Sequence, residues 1–200
     1  MSELTTRNFE FNVNDEENII EGMPIVFESP TVIGDNWFTE VISRDAISAD
    51  TLKDVAFFYN HDLNTKPLAR TRNGKLQLEV KPDGVHMRAS INRERSDAND
   101  LYLAIKDGDI DGMSFMFRVE EDEWEGLDTD LPTRTIKKIN YVQEVSAVNY
   151  PAYDSTTISA RSSLDKRALD NAREKLDSFK DEVDEKRDEL ELLKIKTLIL

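Results

Sequence analysis

The chain has 200 residues, 38% hydrophobic and 34% charged, with a formal net charge of −15. That length allows one domain of ordinary size plus an appendage. An acidic surface of this kind argues against nucleic-acid and anionic-membrane partners, because both need basic side chains. The chain contains no cysteine, so it has no disulfide, thiolate nucleophile or cysteine zinc site. It also lacks a run of about twenty apolar residues, and so reads as soluble and intracellular.

Residues 7–13 alternate, with Phe9, Phe11 and Val13 on one side, which is strand periodicity. After a polar turn, Ile19 to Phe27 resumes as a strand, where Gly22 and Pro24 suggest a bulge or an edge. Ile42–Ile47 reads as one short helical turn. Val55–Tyr59 is a continuous apolar run, expected as a buried strand, and Pro67–Thr71 as another short one. Lys75–Val80 and Val85–Ile91 alternate around Lys81–Pro82–Asp83–Gly84, a β-hairpin signature. Ser96 is read as the cap of a helix with Ala98, Leu101, Tyr102 and Ile105 on one face, ending near Gly108. Phe115–Trp124 begins as a strand and dissolves into an acidic run, Glu120–Asp130, read as a solvated hairpin tip. Thr133–Val148 reads as two strands or one long bent strand, Asn149–Asp154 as a turn and Thr156–Ala160 as a last short strand. The expected class is α+β, rich in short strands, and open to a barrel arrangement.

Three residues have chemistry worth weighing. Ser114 lies in Gly112–Met113–Ser114–Phe115–Met116–Phe117. Strand alternation puts it on one face with Met116 and Arg118, backed by Met113, Phe115, Phe117 and Val119. A serine is a poor nucleophile unless a hydrogen-bonded base, itself oriented by a third group, takes its proton. The chain offers two histidines. His86 alternates with Arg88 on the outer side of the hairpin and reads as a surface residue. His61 follows the apolar strand at the start of a loop, where scaffolds present catalytic groups, although a lone histidine there is more often structural. Glu144 shares the face of a regular strand with Val142, Ser146 and Val148, while Tyr141, Gln143, Val145 and Ala147 take the other. A buried carboxylate needs a partner and an exposed one does not; the pattern leaves both open. Asp107–Gly112 matches the first six positions of a calcium loop, but the twelfth is Arg118 where a bidentate Glu is needed. A helix stop and a tight turn account for it more simply. Neither a metal nor a cofactor site is expected, and spacing alone does not join Ser114, His61 and Glu144.

Four segments in order resemble the prohead (capsid maturation) proteases of tailed bacteriophages, which are similar in fold to the herpesvirus assembly protease. They are Gly22–Phe27 with Trp37–Glu40, then Phe57–Asp62, then Gly112–Phe117, and last Glu144–Tyr153. The resemblance implies a closed β-barrel flanked by helices. It implies Ser114 as nucleophile, His61 as base and Glu144 as third member, although the herpesvirus relatives use a second His there. His86 is an unsuitable substitute because it precedes Ser114 in the chain. The implied reaction is limited hydrolysis of capsid-protein or scaffold segments, and of the protein itself, inside the assembling head in the host cytoplasm. The major capsid protein and its scaffold segment are the implied partners. The alternative is a catalytically silent assembly or scaffolding factor with the same fold.

From Ser162 onward Gly and Pro vanish and the period becomes helical. Leu169, Leu176, Val183 and Leu190 repeat every seven residues, as do Ala172, Phe179, Lys186 and Leu193. This is an a/d heptad seam with one Lys in a d position. The expected division is therefore a barrel domain over 1–161 and a helical, coiled-coil-like tail over 162–200. Beside the resemblance, the tail reads as a coil that docks the domain into the prohead. Self-association, or removal on activation, are the other readings.

Overall fold

A computed structural model describes residues 11–14, 17–149 and 158–198, with side chains in the last helix at 166–187 and 189–190. Among the described residues the chain is α+β and strand-rich. In chain order the strands begin β1 (Asn12–Asn14), β2 (Ile19–Val26), β3 (Thr31–Ile33), β4 (Phe38–Ile42) and β5 (Ala56–Tyr59). Then come β6 (Ala69–Arg70), β7 (Leu76–Lys81) and β8 (Gly84–Ser90), followed by helix α1 (Ser96–Lys106). The long strands β9 (Gly112–Glu125) and β10 (Thr133–Val148) precede helix α2 (Ile158–Leu198). Short 3-10 turns at Arg44–Ala46 and Ala49–Leu52 join β4 to β5.

Two sheets result. One has the order β1-β2-β8-β7; the other has the order β3-β4-β10-β5-β6, with β9 on β10. The described pairings make these two sheets, and closure into a single barrel is not among them. The sheets meet where β2 passes β9. A Cβ at Gly22 would lie 2.6 Å from Met113 Sδ, so a larger residue there would have to displace that side chain. The register of β2 on β8 shifts between Gly22 and Ile25, which is the bulge that Gly22 and Pro24 suggested. The hairpin of β7 and β8 forms as its alternation requires. Helix α1 buries Ala98, Leu101, Tyr102 and Ile105, the face the spacing picked out, in a core shared with Ile20, Ile25, Phe57, Val85 and Val145, but Ser96 is its first residue and Arg95 holds the cap position.

β10 organises the second sheet. β9 runs antiparallel along one edge, and β4 and β5 lie end to end and parallel along the other. β4 pairs with 133–136 and β5 with 144–147. Two expectations are corrected here, and a third, left between two alternatives, is resolved. Only residues 126–130 of the acidic run lie in the hairpin tip, because β9 continues through Glu120 to Glu125 before the chain turns into β10. The β9 carboxylates face cations on β10: Glu120 to Lys138 at 2.7 Å and Glu123 to Lys137 at 3.1 Å. Cross-strand pairing thus offsets like-charge repulsion and lets an acidic strand form. Thr133–Val148 is one strand, bent by register shifts. The last expected strand, Thr156–Ala160, is helical from Ile158; its first two residues, and the turn beyond Asn149, lie outside the described residues.

A buried ion cluster ties β4, β9 and β10 together. Arg134 Nε donates to Asp122 at 2.6 Å, and its guanidinium reaches Glu40 at 3.5 Å. It also lies 5.6 Å from the Trp124 ring centroid, and Trp124 packs edge-on against Phe38. Glu40 and Arg134 are both buried. Arg134→Met is expected to remove an ion-pair partner from buried Glu40 and from Asp122 and to cost about 3 kcal/mol, the low end for breaking a buried pair because Asp122 is partly solvated. Thermal unfolding should then fall by on the order of 10 °C. Adding Glu40→Gln should recover part of the loss; a single variant that melts like wild type would show the cluster to be energetically idle.

The start of α2 packs on the body. Leu169 is buried, Arg173 donates to the carbonyls of Leu127 at 3.2 Å and Thr129 at 3.3 Å, and Lys166 sits 5.8 Å from the Trp37 ring centroid. Further along the seam Phe179 (64%) and Leu190 (59%) are exposed, as is Val183.

Candidate active site

β5 ends at Tyr59, and the next two residues turn back sharply. Asn60 and His61 both take left-handed backbone conformations, φ 48° and 56°, which cost an L-residue roughly 1–2 kcal/mol each. The turn is held from β10. Asn60 N–H donates to the Ala147 carbonyl at 2.9 Å, and His61 N–H to Ser146 Oγ at 3.2 Å. Asn149 N–H donates to Asn60 Oδ1 at 3.1 Å, and the Tyr59 hydroxyl donates to Asn149 Oδ1 at 2.6 Å. Because β5 and β10 are parallel, this turn folds back over the end of β10 and directs the imidazole at Glu144.

His61 Nδ1 lies 2.6 Å from Glu144 Oε1. The carboxyl group is fully buried and the imidazole is 19% exposed. A carboxylate can only accept, so this bond places the imidazole proton on Nδ1 and leaves Nε2 with its lone pair. The second oxygen, Oε2, accepts a short hydrogen bond from the Ser146 hydroxyl. Of the alternatives the pattern left open for Glu144, the buried and partnered one holds. The opposing faces differ from a regular strand, however. The register on β9 shifts between Val142 and Glu144, so Val142 turns to the side of Val145 and Ala147. Bulges of this sort re-aim side chains beside active sites.

Ser114 is half-buried at the start of β9. Its register partner on β10 is Ser146, and Met116 pairs with Glu144. Paired residues share a sheet face, so Ser114, Ser146 and Glu144 lie on one side, with Ser114 one strand over from the Glu144–His61 contact. Among the described contacts Ser114 and His61 are not hydrogen-bonded. Phe115 and Phe117 stack on the opposite face at 4.8 Å. Sequence reasoning missed Ser146, although its spacing of two from Glu144 on a strand was a usable signal. It also missed the clamp of Tyr59, Asn60 and Asn149. His86 stands apart, beside Asp83 at 3.0 Å in the hairpin turn. Its imidazole is the main cause holding the Asp83 carboxyl below the usual range. Gly108, at φ 80°, ends α1, and Arg118 lies over the Tyr141 ring, so the Asp107–Gly112 segment leads out of a helix into a strand.

The family model for caudovirus prohead serine proteases matches residues 2–172. The chain belongs to the caudovirus prohead serine protease family. It is 30% identical over 156 residues to the prohead protease of Enterobacteria phage HK97, a match covering 78% of this chain and 65% of that protein. The chain thus spans just under two thirds of that relative. No solved structure matches it. The family match takes in every strand among the described residues and the body-bound start of α2 to residue 172. Among the described residues no helix is long and apolar enough to cross a membrane.

Proposed function

We propose that this family member is a prohead maturation serine endopeptidase with Ser114 as nucleophile, His61 as general base and Glu144 as the group that orients the imidazole. The observation that carries the reading is the buried Glu144–His61 bond at 2.6 Å, set one strand from Ser114 on the same sheet face. Burying a carboxylate beside an imidazole is costly, and an apolar pair of similar shape would serve a purely structural protein at least as well. That favours a catalyst over a silent assembly factor.

In this mechanism Nε2 of His61 accepts the Ser114 proton as Oγ attacks the scissile carbonyl. The ring, now cationic, is stabilised by Glu144, then protonates the leaving amine, and water resolves the acyl-enzyme. The Ser114–His61 bond forms as substrate draws the two strands' side chains together, since catalytic hydrogen bonds often tighten only in the complex. A fluorophosphonate probe tests the assignment. Peptide mapping should find the adduct on Ser114 in wild type and none in His61→Ala; an adduct elsewhere, or none in wild type, would overturn it.

The substrates in this reading are capsid-protein or scaffold segments within the assembling prohead, and the chain itself. The two sheets are taken as halves of one barrel meeting at Gly22 and Met113, a reading that an experimental structure with the sheets splayed apart would refute. The division at residue 161 is kept for function: the barrel hydrolyses and the tail docks. Deleting 174–200, which spares Leu169 and Arg173, should leave probe labelling intact and lower incorporation into heads. Undiminished incorporation would rule out docking through this segment.

A further inference from the structure

Ser146 is fully buried between the strand that carries Ser114 and the strand that leads to His61. A hydroxyl has one hydrogen and two lone pairs. Here the hydrogen goes to Glu144 Oε2, and a lone pair accepts the His61 backbone N–H at 3.2 Å. Each oxygen of Glu144 therefore has its own partner, Ser146 on one side and the His61 ring on the other. The hydroxyl adds two bonds that alanine lacks, and both lead to the same histidine, one through its backbone and one through its carboxylate partner. Its buried oxygen and committed proton also make Ser146 unfit as the nucleophile.

We infer that Ser146 is a positioning residue that locks the Glu144 carboxylate against rotation and holds the left-handed His61 turn over it, so that one hydroxyl sets both ends of the Glu144–His61 bond. This inference rests on the catalytic assignment above for its effect on rate, but its effect on the bond itself stands independently.

The test uses the full chain with Ser146→Thr and Ser146→Val, which match in shape and differ in the hydroxyl. Ser146→Ala removes the same hydroxyl with no added volume. Labelling by the fluorophosphonate probe gives a maximal rate and an apparent affinity for each variant. The downfield proton resonance of the His61 Nδ1–H, assigned with His61→Gln, reports the bond to Glu144. The threonine variant should stay near wild type in both readouts. The valine and alanine variants should lose about 10²-fold in maximal labelling rate, as expected of a sub-ångström to ångström misplacement. Their apparent affinity should be unchanged and the resonance shifted or lost. In a Glu144→Gln background Ser146→Ala should add no further loss, because both changes disable one unit. Valine and threonine variants that label alike and share the wild-type resonance would overturn the inference. If wild type itself does not label at Ser114, the catalytic assignment fails, and the resonance comparison still decides whether Ser146 positions the pair.

Discussion

Ser114→Ala should abolish processing of a co-expressed cognate capsid protein, with turnover lowered on the order of 10⁶-fold, the scale of losing a serine nucleophile. The protein should otherwise be unaltered. The Ser114 side chain makes no described hydrogen bond and is only half-buried, so removing its oxygen leaves no orphaned partner, and the melting temperature should match that of wild type. This pairing of results matters, because a variant that lost processing by unfolding would say nothing about chemistry. Gel analysis of capsid protein from cells carrying each version provides the measurement. Processing that persists in the alanine variant would remove Ser114 from the mechanism. Absence of processing in both, with the wild-type protein folded, would favour an assembly factor.

Glu144→Gln should cost about 10⁴-fold, because an amide favours the wrong imidazole tautomer. The direction follows from the hydrogen-bond geometry. Ser146 already accepts the His61 N–H and must place its own hydrogen on an acceptor. The glutamine oxygen is therefore drawn towards Ser146, which turns the NH2 group towards His61 Nδ1. A donor facing Nδ1 forces the proton onto Nε2, and an Nε2–H cannot take the Ser114 proton. Volume is preserved, so folding should survive. Probe labelling of the purified variant would show the loss directly, and a labelling rate within tenfold of wild type would mean that Glu144 does not set the tautomer. Adding Ser146→Ala to this variant should add no further loss, since the two residues act on His61 as one unit.

Local chemistry made much of the fold legible. The β7–β8 hairpin followed from alternation around a Pro-Asp-Gly turn, and α1 from four apolar residues at helical spacing. Ser114 and its apolar-backed strand also followed from alternation. The Glu144–His61 bond joins residues 83 apart, brought together by parallel pairing of β5 on β10, and alternation contains no information about which strands pair. The reversed position of Val142 arises from a register shift, which adds a residue without any mark in composition. The acidic stretch of β9 misled because its repulsion was weighed alone, while the cations that offset it lie on the next strand, at Arg134, Lys137 and Lys138. Family resemblance supplied the grouping of Ser114, His61 and Glu144 that spacing could not.

Helix α2 leaves the body from a fixed seat, where Leu169 is buried and Arg173 grips the loop at Leu127 and Thr129. At 1.5 Å per residue, the stretch from Arg173 to Leu198 extends roughly 37 Å. An attachment made at its far end would therefore act as a stiff boom and not as a leash. It would confine Ser114 to a shell of set radius around the anchor, with a high effective concentration of scissile segments within that shell and almost none nearer or farther.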